Sequence, residues 1–448
     1  MLMSDTIAAV ATPPGFGGVG VVRISGPGVR DAGTVILGRL PVPRTATLSW
    51  FRGPDGSAID QGIALFFPAP HSFTGEDVLE LQGHGGPVVM DLLLRALLAL
   101  EIRLARPGEF SERAFLNGKM DLTQAEAIAD LIESGTEAAV RLAGRTLQGE
   151  LSMRIEGLVE NLVRLRTFFE ASMDFPDEEI DLITDSTVYS DLDTLIEQVH
   201  AVLNSARQGR LIREGLNLVI AGPPNAGKSS LLNALSGSDA AIVTAIPGTT
   251  RDLLHQEIQI DGMPVHIVDT AGLHHSVDPV EREGIRRARD QIEQADGVLW
   301  VFDDSYDPIH LAFDPSFLPE HAAVTFVRNK IDLTGSKPGR RTTLDGTEIA
   351  VSARDGAGLD DLRDHLKSLA GLQDSTEGVF IARRRHLDAL ERALGCLERS
   401  KIVITRTDSS ELAAEDLRHA QQALGEITGT FSSDELLGRI FAGFCIGK

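Results

Sequence analysis

The stretch Leu216-Asn217-Leu218-Val219-Ile220-Ala221-Gly222-Pro223-Pro224-Asn225-Ala226-Gly227-Lys228-Ser229-Ser230-Leu231-Leu232-Asn233-Ala234-Leu235 decides how much of this chain folds. Its opening run is apolar except at Asn217, the pattern of a buried strand, and its last six residues open a helix. The eight residues from Gly222 to Ser229 fit G-x-x-x-x-G-K-S, so strand, glycine-rich turn and helix stand in the order that a phosphate-binding loop requires. In such a loop backbone N–H groups wrap the phosphates, Lys228 meets their outer charge, and Ser229 offers an oxygen to Mg²⁺.

Downstream, strand-like runs recur at 265–268, 298–302, 324–327 and 349–351, separated by longer helical or loop segments. That alternation is the mark of a parallel α/β sheet. Further motifs sit at the ends of these runs. Asp269-Thr270-Ala271-Gly272 places a carboxylate within reach of a Mg²⁺-bound water and the Gly272 N–H near a γ-phosphate. Between the phosphate loop and that motif, Gly248-Thr249-Thr250-Arg251-Asp252 offers a switch threonine, Thr250, as a further Mg²⁺ ligand. In Asn329-Lys330-Ile331-Asp332, the carboxylate of Asp332 can accept both N1–H and N2–H₂ of guanine. Adenine lacks that donor pair, and a mismatch of this kind is worth roughly 10⁴ to 10⁵ in discrimination. Ser352-Ala353-Arg354 completes the base pocket. The set points to GTP.

Gly272 is followed by Leu273, where Ras-like proteins place the glutamine that orients the attacking water, and no arginine is evidently placed in cis. An arginine finger supplies about 10³ to 10⁵ in rate, so another positive charge and another water-orienting group have to act. Asn225 could help to hold a monovalent cation in place of the guanidinium. Glu281 or Glu283 could orient water, although spacing alone favours the solvated acidic start of a helix.

The 448 residues suggest about three domains at roughly 150 residues each. With 42 Lys plus Arg against 65 Asp plus Glu the net charge is −23, which disfavours a protein that coats nucleic acid. Two cysteines, Cys396 and Cys445, are too few for a disulfide framework and fit a reducing compartment. The N-terminus lacks the basic and apolar regions of a signal peptide, and no apolar run approaches a membrane span, so a cytoplasmic protein with no membrane partner is expected.

Residues 1–118 read as an α+β domain, with β-like runs at 7–11, 19–24, 63–67 and 78–82 and a helix near 88–100. Thr123-Gln124-Ala125-Glu126 and Ser134-Gly135-Thr136-Glu137 have capping-box form. Leu147, Leu151, Ile155, Leu158, Leu162, Leu165 and Phe169 make a helical stripe, and helix is also expected at 188–211 and again after 376. Helical segments 119–214 and 376–448 flanking 215–375 suggest an α/β domain inserted into a discontinuous helical one.

The chain resembles the MnmE (TrmE) family of tRNA-modification GTPases over essentially its whole length. The resemblance is carried by the nucleotide motifs, by Phe73-Thr74-Gly75-Glu76-Asp77-Val78-Leu79-Glu80-Leu81-Gln82-Gly83-His84-Gly85-Gly86, by Pro107-Gly108-Glu109-Phe110 and Phe115-Leu116-Asn117-Gly118-Lys119, and by the terminal Phe444-Cys445-Ile446-Gly447-Lys448. It implies a multidomain α/β protein: an N-terminal α+β domain that dimerises and binds folate, a discontinuous all-α helical domain, and an inserted Ras-like P-loop GTPase domain. It implies a homodimer that works with the FAD-dependent partner MnmG, in a heterotetramer or larger complex, on the wobble uridine of certain tRNAs. A carboxymethylaminomethyl group is installed at carbon 5, its one-carbon unit coming from a tetrahydrofolate derivative (5-formyl- or methylene-tetrahydrofolate). By motif position Asn225, Ala226, Gly227, Lys228, Ser229 and Ser230 would contact GTP, as would Thr244, Ala245, Ile246, Pro247, Gly248, Thr249 and Thr250. Asp269 to Gly272, Asn329, Lys330, Asp332, Ser352, Ala353 and Arg354 complete that set. Ser229 and Thr250 would hold Mg²⁺; Asn225, Thr244, Ile246 and Thr249 would hold K⁺, which draws two GTPase domains together. Glu281 becomes the water-orienting carboxylate beside Asn225 and Lys228. Folate contacts map to Arg23, Glu80, Lys119 and Lys448, with Cys445 nearby as either a reactive or a packed thiol. A GTP-controlled switch protein of ribosome assembly or translation is the alternative, and it predicts no folate pocket.

Gly15-Phe16-Gly17-Gly18-Val19-Gly20 satisfies G-x-G-x-x-G, yet strand-like residues follow it where a dinucleotide site needs a helix. Arg383-Arg384-Arg385-His386 and Arg141, Arg145 and Arg154 could meet tRNA phosphates, or be charged solvated faces. Cys396 lies on an apolar helix face and is expected in a core.

Overall fold

The structure, a computed structural model, describes residues 5–174, 186–236, 255–260, 263–269, 295–305, 322–343, 346–369, 379–406, 410–431, 434–444 and 447. The chain forms two compact units, one of residues 1–132, 146–196 and 392–448, the other of 133–145 and 197–391.

In the first unit β1 (Ile7–Val10), β2 (Gly17–Ser25), β3 (Thr47–Arg52), β4 (Ala58–Phe67), β5 (Val78–Gly85) and β6 (Arg103–Leu104) form a six-stranded sheet in the order β3-β4-β5-β2-β1-β6. Neighbours run antiparallel except β1 and β6. Strand alternation turns Val22, Ile24, Ala64, Phe66, Leu79 and Leu81 into a core with α1 (Val29–Leu37) and α2 (Pro87–Leu98). The same alternation leaves Arg23 and Glu80 off that core, opposite one another in the β2–β5 register. The glycine-rich 15–20 segment runs into β2, so no helix follows it, as the sequence requires for rejecting a dinucleotide site.

The helices of this unit include α3 (Glu109–Leu116), α4 (Leu122–Glu133), α6 (Glu150–Asp174), α12 (Ser410–Thr428) and α13 (Asp434–Ala442). Leu151, Ile155, Leu158, Leu162, Leu165 and Phe169 of α6 are all buried, and Arg166 Nη1 donates to Gln421 Oε1 of α12 at 2.7 Å. Leu147, expected to begin the same stripe, instead ends α5 (Glu137–Leu147), with Gly149 between the two helices at φ 88°. The expected caps shift as well. Asp121 caps α4, accepting from Gln124 N at 2.9 Å while Gln124 Oε1 accepts from Asp121 N at 3.0 Å, so the box is Asp121…Gln124 and Thr123 lies inside the helix. Thr136 Oγ1 accepts from Ala139 N at 3.1 Å at the start of α5, a cap two residues later than the spacing from Ser134 suggests.

In the second unit β7 (Leu216–Ala221), β8 (His255–Ile260), β9 (Met263–Asp269), β10 (Gly297–Asp303), β11 (Ala323–Asn329), β12 (Gly339–Thr343) and β13 (Gly346–Ala350) form a seven-stranded sheet in the order β12-β13-β11-β10-β7-β9-β8. The five inner strands are parallel, and β8 and β12 are antiparallel edges. One sheet face packs on α8 (Lys228–Ser236) and, beyond the single turn α9 (Ile331–Thr334), α10 (Leu359–Leu369) through Leu231, Leu232, Leu235, Leu359, Leu362 and Leu366. The expected strands are present; β3, the short β6, β8 and β12, all at sheet edges, are additional. The helices α7 (Ser186–Glu214) and α11 (Arg384–Arg406) each begin in one unit's residues and end in the other's. Cys396 of α11 is buried, as expected. Among the described residues no helix is long and apolar enough to cross a membrane.

Candidate nucleotide and folate sites

Parallel strands deliver loops to one edge of their sheet, and ligands of open α/β sheets bind there. The register brings the nucleotide motifs to that edge: Ile220 pairs with Asp269 and Asp303 with Asn329, while Val351 N donates to Arg328 O at 2.8 Å. Beyond Ala221 the chain turns through Asn225 (φ 64°) and Gly227 (φ 91°) into α8. A left-handed residue here aims successive N–H groups inward, the concavity that anions use. Lys228 Nζ bends across the loop and donates to Gly222 O at 2.9 Å and Pro223 O at 3.1 Å.

Asn329 is the hub of the base motif. It is 1% exposed; its Oδ1 accepts from Lys330 N at 2.8 Å and Ala353 N at 3.1 Å, and its Nδ2 donates to Ala226 O at 3.0 Å. Lys330, at φ 67°, reaches back to donate to Asn225 O at 2.8 Å. Ser352 Oγ donates to Asp332 Oδ1 at 2.9 Å and accepts from Asp355 N at 3.2 Å, which fixes the carboxylate at the rim of the pocket. The structure thus joins Asn225, Ala226, Gly227, Lys228, Asn329, Lys330, Asp332, Ser352 and Ala353, with Ser229 and Ser230 opening α8 beside them. Arg354 is exposed, and its side chain is not part of this hydrogen-bonded cluster. Asp269 closes β9 at the same edge. Thr244, Ala245, Ile246, Pro247, Gly248, Thr249, Thr250, Thr270, Ala271, Gly272 and Glu281 lie outside the described residues.

On the first unit, Arg23 Nε and Nη2 stand 2.9 and 2.8 Å from Glu80 Oε1, and Gln82 Nε2 donates to Glu80 Oε2 at 3.4 Å. The guanidinium carbon lies 5.4 Å from the Phe73 ring centroid and 5.7 Å from that of Phe110. Gly447 O accepts from Arg23 Nη1 at 3.5 Å, so the C-terminal segment reaches the same pair. Lys119 bonds a different partner, its exposed ammonium donating to Pro70 O at 3.0 Å. Cys445 and Lys448 lie outside the described residues. Phe73, Gln82 and Phe110 have no role assigned from sequence, although all three sit in motifs that carry the resemblance. Nothing in their spacing distinguishes a stacking ring from a core ring.

Beneath this pair Arg113, 1% exposed in its side chain, bonds Glu109 Oε1 at 3.1 Å, Asp5 Oδ1 at 2.8 Å and Glu76 at 3.1 Å. Glu76 also accepts from Ser25 Oγ at 2.6 Å, two residues along β2 from Arg23. Burial alone would push the Glu109 carboxyl up, but bonds from Arg103, Arg106 N and Arg113 outweigh it and hold it down at about 2. Among the basic features, Arg141 and Arg154 each pair one turn back, with Glu137 and Glu150, as residues on solvated helix faces do.

The TrmE N-terminus family ("GTP-binding protein TrmE N-terminus") matches residues 6–119, and the MnmE helical domain family matches 122–445. The tRNA modification GTPase MnmE of Methylococcus capsulatus is 57% identical over 444 residues, covering 99% of both chains. That of Erwinia tasmaniensis is 56% identical over 453 residues, again 99% of both. A solved G domain of the T. maritima FeoB iron transporter is 24% identical over 35% of this chain and 98% of its own, with a TM-score of 0.25, too low to add to the argument. Matched along its length by both domain families and by these relatives, and carrying an N-terminal α+β domain, a helical domain and a P-loop GTPase domain, the chain belongs to the MnmE family of tRNA modification GTPases.

Proposed function

We propose that this GTPase of tRNA modification is stimulated by K⁺, dimerises, and acts with the FAD-dependent MnmG in a heterotetramer or larger complex to install the carboxymethylaminomethyl group at carbon 5 of wobble uridine, using a tetrahydrofolate one-carbon unit. In this reading residues 1–118 dimerise and bind folate, 119–214 and 376–448 form the helical domain, and 215–375 the GTPase domain, in the cytoplasm. The observation that carries the nucleotide part is Asn329 tying the phosphate loop to the base motif in one buried hydrogen-bonded set.

The chain's own residues divide the work. Lys228 and the N–H groups of the loop receive the phosphates, Asp332 reads the guanine edge, and Ser229 with Thr250 would hold Mg²⁺, which supplies charge at the phosphate oxygens when bound. Asn225, Thr244, Ile246 and Thr249 would hold K⁺, a source of positive charge where Leu273 stands and no arginine does. The left-handed Asn225, its carbonyl held by Lys330, supports this assignment. Glu281 orients the water.

The Arg23–Glu80 pair suits a reduced pterin. Glu80 is an acceptor for the guanine-like donor edge, Phe73 flanks the site with an aromatic ring, and Arg23, Lys119 and Lys448 are cations for the carboxylates of the glutamate tail. Cys445 lies in the segment whose Gly447 reaches Arg23.

Turnover measured in K⁺ and in Na⁺ at equal ionic strength tests the cation. A strong rise in K⁺ that is abolished in Asn225→Ala is expected, and equal rates in both salts would refute it. Titration with 5-formyl-tetrahydrofolate tests the pocket. Binding that weakens in Arg23, Glu80 and Lys119 variants supports it, and no binding by the wild type would refute the folate assignment.

A further inference from the structure

Neither the nucleotide motifs nor the family resemblance gives a role to the end of β10, yet Asp303-Asp304-Ser305 backs the whole base motif from the side away from Ser352. Asp304 N donates to Asn329 O at 2.8 Å, Asp304 Oδ1 lies 3.3 Å from Arg328 Nη1, and Thr334 Oγ1 donates to Asp304 Oδ2. Asp303 Oδ2 stands 2.7 Å from Lys330 Nζ, while its Oδ1 accepts from Ser305 N at 2.9 Å and Ser305 Oγ at 2.6 Å. The carboxylate is therefore fixed by the turn that follows it before it meets the lysine.

Lys330 has three ammonium protons. One goes to Asp303 and one to Asn225 O at 2.8 Å, so a single cation bridges the carboxylate to the phosphate loop. Both Lys330 (φ 67°) and Asn225 (φ 64°) adopt the left-handed backbone that side-chain-bearing residues rarely take, and each such residue needs surrounding bonds to keep it there. The bridge supplies those bonds at both ends. It belongs to one compact unit and involves backbone on one side, unlike an exposed ion pair between two flexible side chains.

We infer that Asp303 is a positioning residue for the nucleotide site: through Lys330 it holds the Asn225 peptide, and so sets both nucleotide retention and the placement of the asparagine assigned to the monovalent cation. The second half of this inference rests on the K⁺ reading above; the first does not.

The test uses the full-length protein with Asp303→Asn, which keeps volume and polarity but removes the charge, and Asp303→Glu, which keeps the charge. Release of a fluorescent GDP is followed in Na⁺ buffer, steady-state turnover in K⁺ and Na⁺, and melting temperature as a check on folding. Asp303→Asn should release GDP about tenfold faster, a change of about 1.4 kcal/mol, and lower the K⁺-to-Na⁺ turnover ratio severalfold, with Asp303→Glu recovering most of both. GDP release at the wild-type rate from a folded Asp303→Asn overturns the proposal, as does an Asp303→Glu variant no better than Asp303→Asn. If the wild type turns over equally in both salts, the K⁺ reading fails, and GDP release in Na⁺ still decides the role of Asp303.

Discussion

Asn329 donates its side-chain N–H to the carbonyl of Ala226 at 3.0 Å across 103 residues of chain, and a Cβ on the next residue, Gly227, would overlap that same Nδ2. The phosphate loop and the base motif are thus packed at backbone contact. Asn329→Ala removes three hydrogen bonds and leaves Lys330 N, Ala353 N and Ala226 O without their partner. At about 1–3 kcal/mol for each buried group left unpaired, affinity for GDP should fall at least tenfold, and calorimetric titration measures it. Gly227→Ala, which leaves Asn329 in place but drives it off the loop, should give a loss of the same order.

How much of this could be read beforehand differs between the two sites. The phosphate loop and the 329–332 and 352–354 motifs, unlike 248–252, which lies outside the described residues, were legible because each is short, contiguous and placed at a strand end by the apolar run before it. Asp303 was not, because a carboxylate after a strand has no distinguishing pattern until the register sets it beside Asn329. On the first unit the Arg23–Glu80 pair joins residues far apart in sequence through the β2–β5 register, which only the fold supplies. The family resemblance named both residues without explaining why they meet. The caps of α4 and α5 each lie two residues from the expected position, since Asp121 and Thr136 compete with Thr123 and Ser134 as caps and spacing alone does not choose among them.

Glu109 predicts acid sensitivity of the first unit. Its carboxyl is fully buried and held at about 2 in the fold, against an ordinary value of 4.5. A lowered carboxylate stabilises the fold fully above its unfolded value, and that stability is lost as pH falls from about 4.5 towards 2, by about 3 kcal/mol in all. Urea unfolding of the wild type between pH 6 and 3 should show the loss, and Glu109→Gln should flatten it. Because Glu109→Gln also strips Arg113 of a buried partner, it should cost about 3–5 kcal/mol at neutral pH.

His365 predicts a second, higher window in the other unit. The ring is 3% exposed with Nε2 2.8 Å from Thr325 Oγ1, and burial, with a lesser push from Arg340, lowers it to about 4 from an ordinary 6.5. Here the unfolded chain binds the proton more readily. Stability is therefore complete above pH 6.5 and falls on acidification towards 4, by up to about 3 kcal/mol. His365→Leu should remove that dependence, followed by the unfolding midpoint of the GTPase unit at pH 7.5 and 5; an unchanged slope would show that the imidazole is not the group responsible.

Gly447 offers the sharpest test of whether the C-terminal segment belongs to the proposed folate site. It holds φ 96° with its carbonyl on Arg23 Nη1, and a Cβ there would overlap Val10 O and stand 2.8 Å from Ala11 Cα. Alanine at this position is strained and must lift the segment off β1, whereas Phe441 and Phe444, edge to face at 5.3 Å between ring centroids, stay packed with Leu122 and Ala125. The cost to folding should be small, because that aromatic anchor lies upstream of the displaced residue. The cost to a ligand held at Arg23 and Glu80 should be large. Gly447→Ala is expected to leave the melting temperature within about 2 °C, less than a 1 kcal/mol loss produces in a domain of ordinary size, while weakening 5-formyl-tetrahydrofolate binding at least tenfold in a fluorescence titration. Binding at wild-type strength would place the C-terminal segment outside the site.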